Sequence, residues 1–329
     1  MANLHLTLAT GDYDHLRDFT SGEIRADGID ITHLKLHVLE IFHRMTSYRE
    51  FDVSEMSMGR YVGLTSQNDP NFVAIPVFPS RVFRLSAFYV RSDGPVQKPE
   101  DLKGKRIGVP EWAQTATIYG RGWLSDYVGV DLKTVRWVQA GQDDAGRDEP
   151  VKLDLPDGIK IERVKDRSLN DMLLAGDIDA MVVAVPPLAF REGNPKVKRL
   201  LADPRAAEEK YWDDTGIFPI MHTVVMRREI ADANPWAALS LFKAFVRAKD
   251  NALERASSFG GSIYPLPMHG YFAAQAQKRL GNDFWPYGLE PNRRTLEAFL
   301  KFARDQGVCH RLLKPEELFP PSVANQFKV

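Results

Sequence analysis

Leu102-Lys-Gly-Lys-Arg-Ile-Gly-Val-Pro110 opens a new structural unit in mid-chain. A glycine turn, a short apolar strand and a terminating proline follow in quick succession, which is the punctuation of a strand that enters an α/β layer. Downstream, the spacing predicts a helix near Thr115 to Tyr127, strands at Val135 to Gln139 and Lys160 to Val164, and a helix from Ser168 to Ala175. A buried strand follows from Ala180 to Val185. Upstream, Ala87 to Arg91 is a strand that leads out of an earlier unit. That unit has strands at Leu4 to Thr10, Ile29 to Leu36, Val53 to Met58 and Phe72 to Val77, and helical spacing from Val38 to Phe51.

After Ala180 to Val185 the chain returns through a strand at Met221 to Arg227 and ends in helical patterns over 235–257, 269–280 and 292–306. One strand leaving near residue 90 and another coming back near 225 make the middle of the chain an inserted lobe. The expected fold class is therefore α/β, two-lobed, with a ligand cleft between the lobes. Residues 1–90 plus 228–329 form a discontinuous first lobe, and 91–227 form the second. Such clefts gather strand ends and helix N-termini, where small ligands bind.

Bulk properties exclude several function classes. The 329 residues are 44% hydrophobic and 26% charged, and 43 Lys and Arg face 44 Asp and Glu. No basic run marks a nucleic-acid face. No unbroken apolar stretch is long enough for a bilayer. The single cysteine, Cys309, cannot form an internal bridge. The N-terminus reads as a first strand with no export signal, so a cytoplasmic location is expected. Neither a Gly-x-Gly-x-x-Gly nor a Walker loop is present, and His33, His37 and His43 are scattered without metal-ligand spacing, His33 and His37 reading as surface residues. No cofactor and no metal site is expected. A small molecule is left as the partner class, with a homo-oligomer open.

The opening segment and Leu173-Leu-Ala-Gly-Asp-Ile-Asp-Ala180 together look like the second lobe of the type II periplasmic-binding-protein fold. Narrower stretches point further: Ser54-Glu-Met-Ser57, Pro76-Val-Phe-Pro-Ser-Arg-Val-Phe-Arg84, Gly216-Ile-Phe-Pro-Ile-Met-His-Thr-Val-Val225, and Phe284-Trp-Pro-Tyr-Gly-Leu-Glu-Pro-Asn-Arg293. Together they resemble the 4,5-dihydroxyphthalate decarboxylase family. That resemblance implies a cytoplasmic enzyme that converts a hydroxylated aromatic diacid to protocatechuate and carbon dioxide without a cofactor. The chain departs from the family at Leu85, where a histidine is usual, and at Val185, where an arginine is usual. The alternative is a solute-binding protein for an aromatic carboxylate, which needs the same cleft but no turnover.

Decarboxylating an electron-rich ring requires a proton at the carbon that bears the carboxylate, while a phenolic oxygen donates electrons and the ring serves as the electron sink. The apparatus is arginines, an acid/base pair and an apolar wall. Arg81 and Arg84, after Pro79-Ser80 at the first crossing, read as carboxylate anchors, with Ser80 beside them; the competing reading is an interlobe salt bridge. His222, in the apolar returning strand, reads as the proton donor or as a buried structural histidine. Glu111, with Trp112, follows the first strand of the second lobe and either handles a phenolic proton or compensates a helix N-terminus. Thr115 starts that helix. Glu55 and Ser57 end a first-lobe strand, with Glu55 a general base or an arginine's partner. Asp12 and Tyr13 read as phenol-facing groups or a simple turn, and Tyr287 as a contact in an aromatic wall or as packing.

Overall fold

The structure, a computed structural model, describes residues 2–68, 71–258, 260 and 263–324. The strands are β1 (Leu4–Thr10), β2 (Ile29–Lys35), β3 (Val53–Ser57), β4 (Phe72–Ile75), β5 (Phe88–Arg91), β6 (Arg106–Val109), β7 (Arg136–Gly141), β8 (Ile161–Ser168), β9 (Ala180–Val182), β10 (Val197–Arg199) and β11 (His222–Arg227). They form two sheets, ordered β2-β1-β3-β11-β4 and β10-β5-β9-β6-β7-β8.

Each sheet has a parallel portion and an antiparallel one. In the first, β1 runs parallel to β2 and β3, while β11 enters antiparallel between β3 and β4. In the second, β9, β6, β7 and β8 are parallel, β5 runs antiparallel to β9, and β10 pairs antiparallel with β5 at the edge. The edge strand Phe72-Val-Ala-Ile75 and the central strand Ala180-Met-Val182 are both buried along their whole length. That accounts for their reading as continuous apolar runs rather than alternating ones.

The two crossing strands fall on the other side of the expected lobe boundaries. Phe88–Arg91, expected to close the first lobe, pairs in the second sheet. His222–Arg227, expected to close the second, is inserted deep in the first. The physical reason is register: β11 fills the gap between β3 and β4, whose backbone groups would otherwise be unpaired. The last long helix, Arg293–Asp305, also does more than pack on the first lobe. Its Phe299 stacks on Tyr119 of the helix Thr115–Gly122 at 4.8 Å, so it bridges the two sheets.

The sheets meet closely at one point. A Cβ on Gly59, near the start of the helix Met58–Ser66, would lie 2.2 Å from the Ala113 carbonyl oxygen. Only glycine permits that approach, and it sets the floor of the cleft. Among the described residues no helix is long and apolar enough to cross a membrane.

Candidate active site

Register dictates the core of the site. In the β3–β11 pair His222 lies opposite Ser57 and Val224 opposite Glu55. Directly opposed residues share a face, so His222 and Glu55 are diagonal neighbours on the same side of the sheet. His222 Nδ1 sits 2.6 Å from Glu55 Oε1. The same oxygen accepts from the Tyr13 hydroxyl at 2.6 Å, and Oε2 accepts from the Gly11 backbone N–H at 2.9 Å.

Glu55 is fully buried. Burial alone pushes a carboxyl upward, but the hydrogen bond and charge of His222, with the donors from Tyr13 and Gly11, outweigh it and hold Glu55 below the usual carboxylate range. An ionised Glu55 can only accept, so Nδ1 of His222 carries the proton that faces it. The other ring nitrogen is thereby committed to the opposite side of the imidazole. Tyr13, buried and beside that carboxylate, has its phenol pushed far up and stays protonated.

His222 opens onto a cleft cavity of about 570 Å³ between the sheets, a size ordinary for a small-molecule site, where ~300–1,000 Å³ is usual. Phe42 stands edge-on to the imidazole at 5.0 Å. Arg84 lines the cavity, with Nη1 donating to the Ala184 carbonyl at 2.8 Å and Nε directed at Met221 Sδ at 3.1 Å. Burial pushes its guanidinium down to about 10, still cationic at neutral pH. Ser57 and Thr115 share a hydrogen bond of 2.9 Å across the floor, where Thr115 Oγ1 also accepts from Gly59 N–H. Glu111 lines the second-sheet side, ion-paired with Arg147 at 2.6 Å. Val38, Leu39, Ala184 and Val185 supply an apolar rim. Among the described residues no group of three or more His, Cys, Asp or Glu is placed to hold a metal ion.

No family model matches the chain. Its sequence is 36% identical over 330 residues to the 4,5-dihydroxyphthalate decarboxylase of Comamonas testosteroni, covering 100% of both chains. This chain belongs to the 4,5-dihydroxyphthalate decarboxylase family. A second member of the family, from Pseudomonas putida, is 36% identical over 213 residues, 64% of this chain and 83% of that one. Solved structures carry the fold. The periplasmic aliphatic sulphonate binding protein of Escherichia coli matches with a TM-score of 0.55 at 11% identity, over 99% of this chain and 100% of that one. A ligand-binding component of an ABC-type import system from Staphylococcus aureus matches at 0.54 and 13%, over 98% and 99%. This chain thus has the periplasmic-binding-protein fold.

Within this family member, the structure gathers Arg84, Ser57, Glu111, Thr115 and His222 around one cavity and sets Glu55 directly behind His222. Other expected contacts are elsewhere. Arg81 is buried away from the cavity, its guanidinium donating to the carbonyls of Phe218 (2.8 Å) and Pro286 (3.2 Å) and lying 4.2 Å over the Phe218 ring. It bridges loops because the β-bridge Arg81–Ile220 turns it inward. Ser80 gives its carbonyl to the N–H groups of Met221 and His222, which holds the crossing strand rather than a ligand. Asp12 is exposed and pairs with Lys35. Trp112 is fully buried under Arg121, its indole donating to Gln306. Tyr287 packs in the first-sheet core beside Phe78. Tyr13 reaches Glu55 and is not among the cavity walls.

Sequence reasoning missed Arg60, Gln114, Arg147 and Glu149, gave His43 no role, and took His37 for a surface position, although all line the cavity. Arg60 had a usable signal, since it follows the strand-to-helix turn after Ser57. Arg147 and Glu149 had none, because the connection 142–160 has no periodicity.

Proposed function

We propose that this chain decarboxylates 4,5-dihydroxyphthalate, with His222 delivering the proton to the ring carbon that loses its carboxylate. The observation that carries this reading is the His222–Glu55 pair opening onto the same cavity as Arg84. Arg84 takes one carboxylate through its cationic fork, a charge-assisted contact worth about 1.5–3 kcal/mol. The buried Glu55 anion accepts from Nδ1 and fixes the imidazole orientation, so that the far nitrogen is aimed into the cavity.

The step balances without a redox partner. A proton leaves His222 and forms a C–H bond, the para hydroxyl supplies electron density, and the dearomatised ring is a cation stabilised on oxygen. The C–C bond to the carboxylate then breaks, its electron pair restores aromaticity, and carbon dioxide leaves. Protocatechuate remains, and one proton is consumed per turnover. Phe42 and the rim residues Leu39 and Val185 give the ring an apolar bed, and Ser57 and Thr115 are placed for the phenolic oxygens.

Incubation of the purified protein with 4,5-dihydroxyphthalate tests this directly: carbon dioxide and protocatechuate should appear in equal amounts. His222→Gln should lower kcat by about 10² or more with little change in KM. Arg84→Ala should instead raise KM. Tight binding of an unchanged ligand, or a His222→Gln enzyme of normal kcat, would remove the basis for the assignment.

A further inference from the structure

Arg60, Glu111, Arg147 and Glu149 meet at the second-sheet end of the cavity, close enough for Arg60 to feel the charge of the other three. Two cations and two anions cancel there. A dianionic ligand that docks one carboxylate on Arg84 therefore finds no net positive charge for the other unless one of these pairs opens. Arg60 is held at the first-sheet wall, its Nη1 donating to Phe42 O and Thr46 Oγ1 on the helix Val38–Tyr48 and its Nε buried without a protein partner. Glu149 is committed as well, accepting from the backbone N–H groups of Trp112 (2.5 Å) and Ala113 (3.0 Å).

Arg147 differs. Its Nε and Nη2 both rest on Glu111 Oε1, at 2.8 and 2.6 Å, so its partner is already a carboxylate of the kind the ligand brings. Its backbone is pinned on either side. Asp143 ties the start of the connection to Leu188 N–H and Arg191, and Asp154 N–H donates to Gly307 O beyond it. The guanidinium is thus presented to the cavity from a fixed base.

We infer that Arg147 is a specificity-determining residue for the second carboxylate of the diacid, held at rest by Glu111 and transferred to the ligand when it binds. This rests on the proposed decarboxylase reading. The exchange keeps a carboxylate on the same fork, and its cost is that of leaving Glu111, 8% exposed, without its cation. It also frees Glu111 at the cavity wall, where it can accept a hydrogen bond from a ligand hydroxyl.

Calorimetry with phthalate, a diacid that lacks the activating hydroxyls, and benzoate, a monoacid, separates this from a structural ion pair. Arg147→Ala should weaken phthalate roughly tenfold or more and leave benzoate within about twofold, and Glu111→Gln should tighten phthalate. A structural pair predicts that both variants weaken both ligands, or neither. Equal phthalate affinity in all three proteins, or no phthalate binding by the wild type, overturns the inference. Failure of the wild type to release carbon dioxide from 4,5-dihydroxyphthalate would instead strike the parent reading, because the binding comparison does not depend on turnover.

Discussion

His15 shows how far a single side chain in this fold can be driven by its surroundings. It lies between the rings of Tyr13 and Trp285, at 5.5 and 5.4 Å, and its Nε2 is buried without a protein partner. Burial pushes its pKa down to about 4, against the ordinary 6.5, although a hydrogen bond to Pro79 and the charges of Asp14 and Glu55 pull the other way. In the unfolded chain the imidazole titrates near ~6.5. Between that pH and about 4 the unfolded state binds a proton that the native state refuses, so stability falls as pH is lowered through this window. Urea unfolding of the wild type at pH 7 and pH 5 should therefore show a loss that His15→Gln reduces. Parallel pH slopes for the two proteins would refute this. The same scale explains why Arg81 misled. Two arginines three residues apart look equivalent in a sequence, but the bridge Arg81–Ile220 sends one to backbone carbonyls, while the other lines the cleft.

Elements were more legible than residues. The strands from β1 to β9 and the helices over 235–257, 269–280 and 292–306 follow from apolar runs, glycine turns and 3.6-residue spacing, because those patterns report burial directly, whereas the largely exposed helix Pro204–Thr215 was not read. Sheet membership at the two crossings was not readable, since whether β11 caps one sheet or splits another depends on partners far away in sequence. Half of the cavity wall was hidden for the same reason: Arg147 and Glu149 sit on an aperiodic connection whose course is set by long-range ties. The helix Met58–Ser66 gives a test of how elements build the site. Gly59→Ala would drive a Cβ into the Ala113 carbonyl at 2.2 Å and push apart the Gly59–Thr115–Ser57 hydrogen bonds. Overpacking of this kind costs about 1–3 kcal/mol. The expected result is a lower Tm together with a raised KM for 4,5-dihydroxyphthalate; a variant with normal Tm and KM would show that the contact does not shape the floor.

At the scale of the molecule, the two sheets share packing as well as the two crossings. One hydrophobic cluster runs from Leu8, Val53 and Val225 of the first sheet to Ile107, Trp137 and Val182 of the second. Polar ties reinforce it at the C-terminal side. Gln306 accepts from Arg121 Nε at 2.8 Å, donates to Ile118 O at 3.0 Å, and its carbonyl takes the Trp112 indole N–H at 2.7 Å. Arg121 is wholly buried, its pKa pushed down to about 9 by that burial, so its charge depends on such partners. A core shared in this way predicts one cooperative unfolding transition, with calorimetric and van't Hoff enthalpies equal. Gln306→Leu should lower stability by about 3 kcal/mol by leaving a buried guanidinium short of acceptors, and the transition should shift as a whole. Two resolved transitions in the wild type would mean that the lobes fold separately and that the cleft is held by linkers alone. A single transition would place the cavity, with Arg84, His222 and Glu111 around it, inside one folding unit.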